Sequence, residues 1–498
     1  MVLSEQQTEK LKPVLLFVLA TLGAIVAGVV TSKADLKLIL LFAAAPIGLI
    51  FALYPVALFG ITMLIAYVLA GLAQLYFPSL ELIRWAVIPL SFIFLLYILI
   101  ESSNQPAGVD RKKSYDTLGF LLIAFLLINV FAAVINRTSL LNIAIGMKGY
   151  FQLWGLMFAI AFMNWDERLM RRWLPMSIFY LALIQVPFAL HQYFFVAPLR
   201  HSIAKGIVPV DIVSGTFGGS IDGGGANAVL AVFMFSVWSC LLALWKKRGI
   251  STAATILITV IVLLPVMINE AKVSIIYALV VFFVVFRKGI LTNSARFLGV
   301  TVLVFITVAG LFYTYVQHAP EGKVSSWSEL IVYTVEYNIS KDEATDGKLT
   351  RGAGIELWAE DHGSIANTAF GYGVGATRVD SRNNLAIKLG IKDPRSYGVG
   401  NLAAMAVLWE SGVIGFLILN AIFVVAFTHA GRLEHRFSHD SWLSGIFLGI
   451  QGAIVILYIS MWHKNFFVFH IGYQNILVTI FGFLIYWYKR GMPVAESK

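Results

Sequence analysis

Residues 227–248, NAVLAVFMFSVWSCLLALWKKR, decide the fold class. From Asn227 to Trp245 the run carries no charge, and it stops at Lys246, Lys247 and Arg248. A helix of about 20 apolar residues crosses a hydrocarbon core of ~30 Å, and basic residues collect at its cytoplasmic end. Cys240, the one cysteine, sits inside this run beside Ser239 and Leu241 as a small buried hydrophobe, which excludes an intramolecular disulfide.

Similar runs recur on both sides. Starts near Pro13, Leu36, Val56, Leu82, Thr117, Leu140, Leu174, Asn227, Thr252, Val273, Phe297, Asn401, Ser441 and Asn475 give about fourteen spans, the one from Val273 to Phe286 being short. Composition agrees, with 59% hydrophobic and 13% charged residues against about 45–50% and about 25% in soluble proteins. The expected fold is therefore an all-α polytopic membrane protein. Residues 1–315 hold helices 1–11 with short loops, 316–400 form one long outer loop, and 401–498 hold helices 12–14 and a tail.

Orientation follows from the basic clusters. Lys10 and Lys12, Arg111 to Lys113, Arg168 with Arg171 and Arg172, Lys246 to Arg248, Arg287 with Lys288, Arg432 with Arg436, and Lys489 with Arg490 all fall on one side under a fourteen-span count. That side, with both termini, is expected to be cytoplasmic. The formal charge of +10 is then accounted for by contact with anionic lipid, not by nucleic acid. The tail MVLSEQQTEKLKP lacks a small-residue cleavage site, so no cleaved signal peptide is expected. There is no C-x-x-C, H-E-x-x-H, P-loop or EF-hand pattern, and thus no sign of a nucleotide engine or a dedicated metal site.

The polar machinery lies on the other side. Between 316 and 400 the chain carries Trp327, Tyr333, Tyr337, Ile355, Trp358 and Phe370 at roughly helical spacing, which suits a folded segment docked on the membrane face better than a disordered tether. Its densest stretch is RGAGIELWAEDHGSIANTAFGYGVGATRVDSR, residues 351–382. Gly371, Gly373 and Gly375 fit either an anion-binding nest or an ordinary tight turn. Arg351, Arg378, Arg382 and Arg395 are permanently charged forks suited to phosphate, with Asp361 and His362 as candidate acid/base groups.

Other charges lie at membrane depth and call for a cavity or a partner. Glu270 and Lys272 stand at the outer end of a span, as an interfacial pair or as diphosphate ligands. Lys148, in IAIGMKGYFQLW (143–154), reads as an ion pair with Glu410 or as a second diphosphate ligand; Glu410 reads as a helix-packing or a catalytic carboxylate. Arg200, His201 and Lys205 precede SGTFGGSIDGGGAN (214–227), which fits a flexible connection or close approach of a lipid carrier. His463, Lys464 and His470 beside Trp462 read as an aromatic belt with basic flanks.

Three pieces together resemble the O-antigen ligase and Wzy polysaccharide polymerase superfamily. They are Arg351 opening a segment with Trp358 and FGYGVG; NLAAMAVLWESGVIG, with Asn401, Glu410, Gly412 and Gly415; and NEAKVSIIYALVVFF from Asn269. The resemblance covers mainly Asn269 to Phe427. It implies a GT-C-like, inverting, metal-independent glycosyltransferase of the bacterial inner membrane, without a cofactor, acting at the periplasmic face. The implied donor is a polyprenyl-diphosphate-linked oligosaccharide and the acceptor a glycan, with membrane lipid, chain-length regulators and export proteins as partners. Arg351, Arg378, Arg382, Lys272, Glu270, Lys148, Arg200, Asn401 and Trp358 would bind substrate, while His362, Asp361 and Glu410 would handle the acceptor proton. The family's histidine before Asn401 is Gly400 here, which tilts the reading from ligase toward polymerase. A flippase of lipid-linked oligosaccharides is the alternative from another class, although no internal repeat supports it.

Overall fold

The computed structural model describes residues 54–103, 116–203, 209–221, 224–269, 271, 273–290, 353–360, 364–377, 400 and 402–490, with isolated positions between 298 and 328. Among these residues eight helices are long and apolar enough to cross a membrane, or nine if a pair bent by 43° counts as one span. They are α1 (Pro55–Tyr76), α2 (Pro78–Glu101), α3 (Thr117–Ile135), the bent pair α4 (Leu140–Phe151) and α5 (Trp154–Phe162), α6 (Leu169–Arg200), α7 (Asn227–Lys246), α12 (Ala403–Arg436), α13 (Ser441–Met461) and α15 (Ile471–Arg490). Shorter helices are α8 (Thr252–Met267), α9 (Ser274–Ile290), α10 (Ala353–Glu360), α11 (Ile365–Phe370) and α14 (Phe466–Phe469). The described β-structure is one antiparallel pair, β1 (Gly219–Ser220) with β2 (Gly224–Gly225). The chain is an all-α protein of membrane-spanning type. The apolar runs starting near Pro13 and Leu36 lie outside the described residues.

Apolar all round, α7 sits at the centre, and α13 and α15 are as enclosed, while α2 and α6 stand at the rim. Lipid tails are as apolar as leucine, so helices in a membrane gain from close packing, which small residues permit. Gly445, Gly449 and Gly452 on α13 face α7 this way. A Cβ at Gly445 would lie 2.7 Å from Leu244, and those at Gly449 and Gly452 would run into Cys240 and Ser239. Ser239 Oγ then donates across the seam to Gly449 O at 2.9 Å. Gly449→Val is expected to lower stability by about 1–3 kcal/mol, through overpacking that the Cys240 backbone cannot relieve, read as a drop in the detergent melting temperature.

Basic residues do gather at one end. Arg171 pairs with Asp440 at 2.7 Å, Lys247 and Lys288 share Glu434 at 2.7 and 3.3 Å, and Arg490 donates to Asn164 Oδ1 at 2.7 Å. The opposite end is stitched by amides: Asn136 Nδ2 donates to Gly371 O at 2.9 Å, and Asn227 and Asn269 exchange two side-chain-to-backbone bonds of 3.0 Å.

Candidate functional site

At that second end α12 is broken. Gly412 has φ 65° and ψ −170°, outside helical geometry, between the first turns of the helix and its long remainder. A break frees backbone carbonyls, which must find donors when buried. The glycine stretch after α11 supplies them, Tyr372 N to Trp409 O at 2.8 Å and Gly373 N to Glu410 O at 3.0 Å. Gly371, Gly373 and Gly375 all have φ between 75° and 93°. The approach is so close that a Cβ at Gly375 would lie 2.5 Å from Asn142 O, and one at Gly371 would strike the Glu410 carbonyl.

The G-x-G-x-G stretch runs into a turn, with Ala376 N–H donating to Gly373 O at 3.1 Å, and it caps a broken helix. Thr377 donates both N–H (3.1 Å) and Oγ–H (2.5 Å) to Glu410 Oε1. Glu410 is fully buried and its Oε2 has no hydrogen-bond partner among the described residues. Asn142 Nδ2 and Trp409 Nε1 are likewise buried without one. Next along α12, Ser411 Oγ donates to Asn129 Oδ1 of α3 at 2.8 Å. A buried polar oxygen without a partner is costly, which sets Glu410 apart from the packing around it.

At the same end of the bundle opens a cavity of about 390 Å³ with a largely apolar wall, whose polar lining includes Gln74, Arg84, Thr216, Lys464, Asn465 and His470. Arg84 pairs with Glu81 at 2.7 Å. Next to it, the Trp85 ring carries the Lys148 ammonium 3.0 Å from its centroid. Among the described residues the partner of the Glu410 carboxyl is Thr377, not the Lys148 of the ion pair that the sequence suggested. A short path joins cavity and carboxylate: Asn465 Nδ2 donates to Gly400 O, a Cβ on Gly400 would lie 2.9 Å from Thr377 Oγ1, and Thr377 holds Glu410. A histidine at position 400 would press on Thr377, so the glycine there belongs to this packing.

His470 Nε2 faces Phe217 O at 3.0 Å and Tyr473 N–H donates to Nδ1 at 3.3 Å, a set that fits the neutral Nε2–H tautomer. The residue keeps some surface exposure, yet its ring is enclosed between Phe217 and Phe466, and burial pushes its pKa down to about 4. A lowered pKa in a base means that the unfolded chain binds the proton first. Stability conferred by His470 is thus fully present above pH 6.5 and is lost as the pH falls from 6.5 through about 4. The expected loss is roughly 2 kcal/mol after allowance for partial exposure. His470→Gln should flatten this part of the melting temperature's pH profile.

The loop 209–225 is built into the bundle. Gln185 Oε1 accepts from Thr216 N at 2.7 Å, Thr216 Oγ1 donates to Tyr67 O at 2.6 Å, and Gln192 Oε1 accepts from Ser214 N and Gly215 N at 2.9 and 2.8 Å. Arg200 is buried here, paired with Asp211 and donating to Ile221 O (2.8 Å) and Pro209 O (3.1 Å). Its guanidinium organises this loop. Burial pushes the Asp211 carboxyl above its usual range, with Arg200 opposing the rise.

Of the other candidates, Trp358 on α10 packs with Leu357 and Tyr372 against Leu402, Met405 and Trp409, over the first half of α12. Glu270, Lys272, Arg351, Asp361, His362, Arg378, Arg382 and Asn401 lie outside the described residues. Sequence reading missed Arg84, Gln74 and Asn465, and set Lys464 and His470 aside as interfacial. Arg84 did carry a signal, as an ionisable group beside Trp85 and three residues after Glu81 in a largely apolar stretch. No protein-family model matches the chain, and the comparison with curated proteins gives no match either.

Proposed function

We propose that the protein is a membrane glycosyltransferase, a polysaccharide polymerase resembling the O-antigen ligase and Wzy superfamily. It would transfer glycan from a polyprenyl-diphosphate-linked donor to a glycan acceptor at the periplasmic face of a bacterial inner membrane. In this reading the chain has about fourteen spans, both termini are cytoplasmic, and residues 316–400 form the periplasmic segment over the site. The observation that carries it is the buried Glu410, whose Oε2 has no described partner, at a broken span, at the same end of the bundle as a cavity bearing Arg84 and Lys464.

The chemistry needs both halves. As the acceptor oxygen bonds to the anomeric carbon, the bond from that carbon to the diphosphate breaks and negative charge grows on the leaving group. Fixed cations in a dry site stabilise that charge without reorganisation. Arg84, Lys464 and Lys148 are the described candidates, with Arg351 and Arg378 adjoining through the chain. The acceptor hydroxyl's proton passes to Glu410 Oε2, oriented by Thr377 on the other oxygen. Direct displacement inverts the anomeric centre. A ligase would use the same donor and differ in what attacks it.

A flippase remains the second reading because of a specific feature. Broken helices such as α4–α5 and α12 line substrate sites in transporters. A deletion strain complemented with wild type, Glu410→Gln, Arg84→Gln or Arg351→Ala separates the three. Single lipid-linked repeat units held on the outer leaflet support a polymerase. Full-length polymer left on its carrier indicates a ligase, and repeat units trapped on the inner leaflet indicate a flippase.

A further inference from the structure

The segment that joins α13 to α15 forms one wall of the cavity, through Lys464, Asn465, Phe466, Phe469 and His470. It is firmly held. Gln474 Nε2 donates to Phe467 O at 2.7 Å, and the Phe467 ring packs against those of Phe125 and Tyr150, with centroids 6.3 and 5.8 Å away. Asn465 directly precedes α14, the position from which an asparagine commonly caps a helix by accepting from its first N–H groups. Its side chain makes no such bond.

The side chain turns to Gly400 instead. Nδ2 donates to Gly400 O, and the amide cannot be turned over, because Oδ1 would then face that carbonyl. Gly400 in turn lies against Thr377: a Cβ built on it would come within 2.9 Å of Oγ1, 3.1 Å of Cβ and 3.3 Å of the carbonyl oxygen. Thr377 gives both of its donors to Glu410 Oε1, at 3.1 and 2.5 Å. Direct contacts thus run without a gap from the cavity wall to the carboxylate.

We infer that Asn465 is a positioning residue, which through Gly400 and Thr377 fixes the Glu410 carboxylate relative to the cavity that receives the donor's diphosphate. The inference rests on the proposed transfer reaction and names what sets the distance between its two halves. Breaking the tie leaves each half whole, so donor affinity holds and the rate of the chemical step falls. The loss is expected to be about tenfold, the scale of one hydrogen bond. Contact alone does not prove that coupling, whereas non-additive substitutions do.

The test measures kcat and donor KM of the purified full chain with a polyprenyl-diphosphate-linked oligosaccharide, for Asn465→Ala, Thr377→Val and the double variant, with melting temperature followed in parallel. Each single variant should lose about tenfold in kcat at unchanged KM, and the double variant about tenfold again relative to wild type, not about a hundredfold. Asn465→Asp keeps the volume but removes the donor, and should match Asn465→Ala. Hydrogen exchange at the Thr377 amide, which needs no activity, should be faster in Asn465→Ala than in wild type. Multiplied losses in the double variant, wild-type kcat in Asn465→Asp, a raised KM at unchanged kcat, or unchanged exchange at Thr377 would each overturn the positioning role. Full activity in Glu410→Gln would instead overturn the proposed function, so the two failures are told apart.

Discussion

On the proposed function, Glu410→Gln should cut polymer synthesis about 10²–10⁴-fold, the range a positioned proton acceptor contributes, while leaving stability within about 1 kcal/mol of wild type. The substitution separates base from scaffold. A glutamine side-chain oxygen can still accept both Thr377 donors, so the tie between loop and helix survives. What changes is the second oxygen, which has no described partner and becomes an amide that cannot take a proton. Transfer from a lipid-linked donor by the purified protein is the measurement. Full activity in Glu410→Gln would remove the carboxylate from the reaction and leave it a packing role. Thr377→Val is the companion, since it deletes a donor to Glu410 while keeping side-chain volume; if Thr377 orients the base, the rate falls and substrate affinity holds.

The largest loss of stability is expected at the glycine loop. Gly371 has φ 75°, a region where side chains are strained by roughly 1–2 kcal/mol, and its Cβ would strike the backbone of Glu410. Clash with backbone cannot be relieved by a rotamer change and adds about 1–3 kcal/mol. Gly371→Val should therefore destabilise by about 2–5 kcal/mol and release the loop from α12. Limited proteolysis between 364 and 400 would detect it as faster cleavage. Gly60→Val is the control: nothing lies within 4 Å of its built Cβ, and it should be nearly silent.

The class of fold was legible because burial in lipid leaves a one-dimensional trace. The run 227–245 and its like read as spans with no knowledge of neighbours. Breaks inside spans left no such trace. Leu140 to Phe162 is continuously apolar except for Asn142, Lys148 and Gln152, yet the helix bends by 43° after Phe151. The bend is held from far along the chain, by Gln474 bonding Gln152 at 2.8 Å and accepting no help from local sequence. Gly412 was visible as part of E-x-G-x-x-G, but that it breaks α12 depends on Tyr372 and Gly373 reaching its carbonyls. Glu410 was likewise picked out by its charge, whereas its partner Thr377 was not, since threonine is common and the contact is tertiary. Arg200 shows the same limit. Its charge was legible, whereas its partners in the fold, Asp211 and the carbonyls of Ile221 and Pro209, were not.

The glycine seam between α7 and α13 bears on how such a molecule can move. Side chains that interlock through flexible tips can slide over one another, whereas two backbones in direct register cannot, because no methylene lies between them to yield. Ser239 reaching Gly449 pins that register. The two most central helices therefore behave as a keel. On the proposed function, motions that admit a substrate would fall to the outer planking, α2 and α6, and to the breaks near Gln152 and at Gly412. A machine that must open alternately to both sides needs its midline to rock, and this midline is fastened.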